Sequence, residues 1–291
     1  MSSDDRRMER VKIAPEYDDK WLEVERPQSL CDNYLESLFS KIMTGFDGIE
    51  IDHRMTANST FKETACNWIL NSRLNHFTGF DNFNRIDIIN GCTQFIDNIY
   101  MAGIPQFIVG DYRYHDRLGN CGTYPGLLKK GTPLIIAMPF PSTGAVHNQM
   151  TEMLNEAQDK GVDVHVDGAW LTCCRGINFD VSHPAIKSVG ISLSKGLGLG
   201  WNRIGLRWSK GTAPDSISIM NDFHMELRMS AIVGNYILDN VQSDYLWNSY
   251  GDLNAKICKD FNLTPSNAIH MAFNQDGNFV GLSPLLRNLM E

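Results

Sequence analysis

Paired cysteines, long apolar runs and an excess of basic charge are all missing from this chain of 291 residues. Its seven cysteines are odd in number and contain no repeated Cys-x-x-Cys pair, which fits a reducing compartment and argues against a disulfide framework or a zinc site. No metal is therefore expected. The longest apolar run, Leu134-Ile135-Ile136-Ala137-Met138, is far short of the roughly 20 residues that span a bilayer. The start, Met1-Ser2-Ser3-Asp4-Asp5-Arg6-Arg7, lacks the apolar centre of a signal peptide. A cytoplasmic protein with no membrane partner is the expectation. With 26 Lys and Arg against 34 Asp and Glu, the formal charge is −8. Nucleic acid is not an expected partner either, because binding it calls for a basic face, and a small anionic substrate would need local arginines. Internal repeats and low-complexity tracts are absent too.

What is present is an alternation of strands and helices. Residues 1–30 are charged with few periodic signals and read as an arm. Residues 31–76 carry helix-like apolar spacing at Leu35, Leu38, Phe39 and Ile42, then at Trp68, Ile69 and Leu74. From Ile86 the pattern predicts a strand, a helix over 93–102, strands over 106–109 and 133–138, a helix over 148–160, and strands over 162–166, 188–193 and 204–208. Residues 216–247 read as one or two long helices, and 269–273 with 279–282 as a terminal β-pair. Such alternation predicts an α/β fold, a mostly parallel but mixed sheet flanked by helices, with its ligand at the carboxyl ends of the strands. The expected division is an N-terminal arm and helices (1–76), a large domain (77–250) and a reduced C-terminal segment (251–291).

Lys195 ends the apolar segment Ser188-Val189-Gly190-Ile191-Ser192-Leu193-Ser194 and is followed by Gly196-Leu197-Gly198-Leu199-Gly200. A lysine at a strand end, beside small residues that let a ligand approach the backbone, is arranged to form an imine with an aldehyde. Upstream, Val162-Asp163-Val164-His165-Val166-Asp167 reads as a buried strand ending in an acid. Together they suggest pyridoxal phosphate, the lysine holding the aldehyde and the aspartate keeping the ring nitrogen protonated. Evenly spaced glycines with no clear helix after them make a poor dinucleotide fingerprint. His165 shares a strand face with Asp167, but without further ligands it reads as a core histidine.

At these residues the chain resembles the fold type I pyridoxal-phosphate enzymes, the aspartate aminotransferase superfamily. Ser192-Leu193-Ser194-Lys195 is similar to the family's Ser-x-Ser/Ala-Lys. Trp201-Asn202-Arg203-Ile204-Gly205 resembles the stretch whose arginine, eight residues past the lysine, binds the cofactor phosphate. Asp167-Gly168-Ala169-Trp170 resembles Asp-x-Ala-Tyr, and Asn90-Gly91-Cys92-Thr93-Gln94 the Asn-Gly-x-Thr-Glu turn that meets the phosphate. The resemblance runs from about Arg85 to Trp208 and implies a three-layer large domain. It implies catalytic roles for Lys195 and Asp167, with Gly91, Cys92, Thr93, Ser192, Ser194 and Arg203 around the phosphate. Ala169 would pack on the ring face and Trp170 beside the phenolic oxygen. A stacking ring would come from Tyr112 or Tyr114.

Three departures accompany it. Met138-Pro139-Phe140 stands where the family shows Asn-Pro-x-Gly, so the asparagine is missing; Trp170 replaces tyrosine; and only 96 residues follow Lys195. Arg287, the only late arginine, is the candidate for the substrate carboxylate, with Arg113 as its rival. The implied activity is on an amino acid or small amine, an aminotransferase first. A decarboxylase, lyase or racemase is the alternative, and a cofactor-binding protein without turnover is a further one. The family's interfacial active site implies a homodimer, and the apolar stretch 232–238 offers a surface for it.

Overall fold

The computed structural model describes residues 29–45, 51–211 and 214–290, with backbone alone for 51–55. Nearly all of the expected N-terminal arm lies outside the described residues. In chain order the elements are α1 (Asn33–Thr44), α2 (Ile51–Leu70), β1 (His76–Thr78), β2 (Arg85–Ile89), α3 (Gly91–Ala102), β3 (Gln106–Phe107), α4 (Tyr114–Arg117), β4 (Leu134–Ala137), α5 (Met150–Asp159), β5 (Val164–Gly168), β6 (Asn178–Asp180), β7 (Ile186–Ser192) and β8 (Gly205–Ser209). After these come α6 (Ser216–Asp222), α7 (Arg228–Asn240), α8 (Tyr245–Asp260), β9 (Thr264–Pro265), β10 (Met271–Phe273), β11 (Phe279–Gly281) and α9 (Ser283–Leu289).

Six strands form the main sheet in the order β2-β8-β7-β5-β4-β3. The pairs β3/β4, β4/β5 and β5/β7 are parallel, whereas β8 runs antiparallel to both β7 and β2. All four residues of β4 are buried and only Lys187 of β7 is not, the mark of strands covered on both faces. On one face α3 and α6 pack Phe95, Ile96, Ile99 and Ile217 against Ile89 and Ile135. On the other, Leu35 and Leu38 of α1, Phe61 of α2, Met153 and Leu154 of α5 and Ile237 of α7 join the larger core. The fold is thus the expected three-layer α/β arrangement with a mixed, mostly parallel sheet. Gly190 shows how tightly α3 crosses β7, because a Cβ there would lie 2.7 Å from the Phe95 ring.

Two expectations change. The span 216–247 is not one or two long helices. Three occupy 216–260, the first separated from the second by a turn at His224, whose φ is +53°. The apolar stretch 232–238 is also no free surface. Ile232, Val233, Ile237 and Leu238 are buried in the main core, and Gly234 sits so close to α2 that a Cβ would come 2.7 Å from Phe61. At the C-terminus, β9, β10 and β11 form an antiparallel sheet that packs with α8 and α9 around Trp247, Ile257, Ile269, Leu282 and Leu286. The expected terminal pair is there, as β10 and β11. Helix α8 runs through residue 250 into this second cluster.

Candidate active site

Strand direction brings the candidate residues to one edge of the sheet. Because β8 is antiparallel to both neighbours, β2 runs parallel to β7, and the carboxyl ends of β2, β5 and β7 lie together with the start of β8. Gly91, Asp167, Ser192 and Arg203 are the residues at or next to those ends.

Gly91 has φ +69°, and a Cβ on it would lie 2.9 Å from Arg203 Nη2 and 3.1 Å from Ser192 Oγ. Residues far apart in sequence therefore close on a backbone position that only glycine can occupy. Arg203 Nη2 donates to Thr93 Oγ1 at 3.1 Å. Helix α3 begins at Gly91 with no side chain capping its first amides, so those N–H groups face the site at the positive end of the helix dipole. Gln94 instead turns back and accepts from Asn90 N–H at 2.6 Å. Ser192 and Ser194 are both buried, and Ser192 Oγ donates to Ser194 Oγ at 3.0 Å. Uncapped amides, three hydroxyls and a guanidinium together make an anion cradle.

Asp167 lies at the opposite end of this edge and is 3% exposed. Burial raises its pKa above the ordinary carboxylate range, against the opposing pull of the Cys92 thiol, of Ala169 N–H donating at 3.0 Å, and of the Lys195 charge. Such a carboxylate favours a cationic partner. Cys92, expected beside the phosphate, thus also contacts Asp167 through its side chain, and burial pushes its thiol far up. Lys195 stands in the loop after β7. Leu30 N–H donates to its carbonyl at 2.9 Å, and Gly198 N–H donates to Leu30 O at 2.8 Å, so the segment before α1 ties the lysine loop down.

Half-buried Ala169 and Trp170 follow Asp167. The Trp170 ring meets His270 edge-on, with centroids 4.6 Å apart. His270 comes from the C-terminal cluster, is buried, and is held neutral by burial and by the charge of Lys195, its pKa pushed down to about 3. Met138 N–H donates to Asp167 O at 2.8 Å, and its apolar side chain is fully buried. Tyr112 and Tyr114 stack on each other at 5.8 Å. Tyr114 donates its hydroxyl to Asp97 at 2.7 Å and packs on the α3 face, while Tyr112 is 38% exposed. Arg287 is on the exposed side of α9 and Arg113 is exposed before α4. His165 is half-buried on β5, its Nδ1 2.7 Å from Ser188 Oγ.

Sequence reasoning passed over Asp111 as a site residue. It is buried, accepts from Ala137 N–H at 2.9 Å and Tyr112 N–H at 2.6 Å, and feels the charge of Asp167. Burial pushes its pKa up to about 7. His270 was also passed over, since only folding brings the C-terminal sheet to Trp170.

No protein-family model matches this sequence, and no curated protein matches it. Solved structures do. The aspartate aminotransferase of Thermotoga maritima superposes with a TM-score of 0.60 at 11% identity, over 100% of this chain and 96% of that one. The chain has the aspartate aminotransferase-like fold. The same fold is matched in the PLP-bound C-S lyase of Staphylococcus hominis, with a TM-score of 0.55 at 12% identity over 81% of this chain and 73% of that one. It is matched again in the L-threonine-O-3-phosphate decarboxylase of Porphyromonas gingivalis, with a TM-score of 0.55 at 13% identity over 85% and 80%. Within this aminotransferase-like fold, no helix of the described residues is long and apolar enough to cross a membrane. No group of three or more metal-ligating side chains occurs among them.

Proposed function

We propose that this protein is a pyridoxal-phosphate enzyme acting on an amino acid or small amine through Lys195, with transamination as its reaction. The observation that carries the reading is the polarity of the sheet edge. An anion cradle of Gly91, Thr93, Ser192, Ser194 and Arg203 faces a buried, cation-seeking Asp167, and Lys195 belongs to the same edge. The residues fit the cofactor on two counts. The Arg203 guanidinium and the uncapped first amides of α3 suit a phosphate, and the raised pKa of Asp167 suits a protonated ring nitrogen.

When bound, the cofactor supplies an electron sink for the pair released as a substrate Cα bond breaks. The other parts belong to the chain. The cradle would anchor phosphate, Asp167 would keep a ring proton in place, and the Lys195 amine would carry a proton to and from the substrate Cα as general base and acid. Tyr112, the more open of the stacked tyrosines, is the ring we assign to the outer face of the cofactor. Trp170 and His270 form the wall beside it. Arg287 is proposed to receive the α-carboxylate, as a planar guanidinium can do with two parallel hydrogen bonds. A homodimer remains part of the reading. Its surface is assigned to the exposed Ile219, Phe223, Met225 and Met229 in place of the buried stretch 232–238.

Neighbours that are aminotransferases, a lyase and a decarboxylase make the reaction the first thing to measure. Borohydride reduction of the coloured protein and peptide mapping should label Lys195. A panel of amino acids should convert the cofactor to its amine form with release of an oxo acid. Carbon dioxide release would indicate decarboxylation instead, and a label elsewhere or no cofactor uptake overturns the assignment.

A further inference from the structure

A cavity of about 430 Å³ opens onto the anion cradle, whose Thr93 and Arg203 line it together with Asp97, Met220, Glu226 and Leu227. Glu226 is unusual among these. Its side chain is 4% exposed, its Oε1 is 4.0 Å from the solvent-exposed His224, and its Oε2 is buried with no hydrogen-bond partner. A buried carboxylate oxygen without a partner is destabilising unless a ligand supplies one. The turn that presents it is itself constrained, with His224 at φ +53° and Arg228 N–H donating to Glu226 O at 2.8 Å. Asp97, already accepting from Tyr114, adds a second carboxylate. Met220 and Leu227 supply apolar wall for a carbon stem.

We propose that this cavity is a binding site for an organic cation, a guanidinium or ammonium on an alkyl stem, held by Glu226. The inference rests on the cofactor reading in one respect. Once the charge of Arg203 is engaged by phosphate, the two carboxylates dominate the cavity, and a neutral or anionic group would leave Glu226 uncompensated. The cation can be the distal group of a small substrate or a basic side chain of a second copy of this chain, whose approach the exposed Phe223, Met225 and Met229 around the turn would favour.

The probe is butylguanidinium against butylurea, its neutral counterpart of the same shape, titrated calorimetrically into the cofactor-loaded protein. The wild type should prefer the cation by at least tenfold, and Glu226→Gln should reduce the preference to below threefold, while Glu226→Asp retains part of it. If the natural cation comes from a second copy, butylguanidinium should shift the protein toward monomer and Glu226→Gln should weaken self-association at least tenfold in sedimentation equilibrium. Equal binding of the two probes by the wild type, with self-association unchanged in Glu226→Gln, overturns the proposal. Thermal melting separates a folding defect, because replacing a buried carboxylate oxygen that lacks a hydrogen-bond partner should leave the melting temperature of Glu226→Gln unchanged or raised. The Lys195 label is read on the same samples, so failure of the cofactor reading appears as a missing label, whatever the probes do.

Discussion

Gly91→Ala isolates the cradle. The added methyl would sit 2.9 Å from Arg203 Nη2 and 3.1 Å from Ser192 Oγ, closer than the 3.5–4.0 Å at which carbon contacts are comfortable. Arg203 and Ser192 must draw back, or the phosphate must stand off. Either way one or two charge-assisted hydrogen bonds are lost, each contributing about 1.5–3 kcal/mol. A middle figure of about 3 kcal/mol corresponds to a rise in Kd on the order of 100-fold. The backbone adds a separate cost of roughly 1–2 kcal/mol for an L-residue at left-handed φ. That cost falls on folding, with and without cofactor, and must be subtracted.

Gly131 provides the comparison. Its φ of +73° nearly equals the +69° of Gly91, and nothing lies within 4 Å of a Cβ built there. Gly131→Ala should therefore lower the melting temperature of the apoprotein by a similar amount while leaving cofactor affinity intact. Spectrophotometric titration of both apoproteins with pyridoxal phosphate gives the ratio directly. A Gly91→Ala dissociation constant within threefold of Gly131→Ala would refute the assignment of this turn to the phosphate.

Two further predictions concern the carboxylates. Asp167→Asn should keep the cofactor through the cradle, yet slow exchange of the substrate Cα proton into deuterated water by about 10²–10⁴-fold, the scale of 3–5 kcal/mol for a broken buried charge pair. Near-normal exchange by NMR would remove Asp167 from its role. Asp111, with its pKa up at about 7 against 3.8 when unfolded, holds more protons folded than unfolded across that interval. Stability of the apoprotein should then fall as pH rises from 4 to 7, by at most on the order of 4 kcal/mol at 1.36 kcal/mol per pKa unit. Urea melts at pH 5 and 8 should show a smaller drop for Asp111→Asn, and equal drops would contradict the burial argument.

The central site was legible because its motifs are local. Lys195, Asp167 and Arg203 each sit at or within three residues of a strand end, where a buried apolar run gives way to small or polar residues, and a parallel sheet gathers strand ends without further information. The predicted strands lie within about two residues of the observed ones for the same reason. Other features depend on partners remote in the chain. Nothing near Ile232 announces that α2 covers it, and nothing near His224 announces a turn, because the residue at φ +53° is not glycine. His270 reaches Trp170 only through the C-terminal sheet, and Leu30 reaches Lys195 O only because the segment before α1 crosses the site. Asp111 was visible as part of Asp111-Tyr112-Arg113-Tyr114, but its burial, which gives it interest, is a tertiary property.

The replacements around Asp167 act in one direction. The family's asparagine and tyrosine would offer polar hydrogens to a phenolic oxygen. Here Met138 is apolar and fully buried, and Trp170 offers one indole N–H beside a neutral His270. With a cofactor bound there, fewer donors would leave more negative charge on that oxygen. Asp111 feels the charge of Asp167, so carboxylates gather at the ring end, while Arg203 and the α3 amides favour negative charge at the phosphate end. The sheet edge is thus electrostatically polar along the line from Gly91 to Asp167. A ligand with phosphate at one end and a protonated heterocycle at the other satisfies both ends, whereas a dianion or a simple cation satisfies only one.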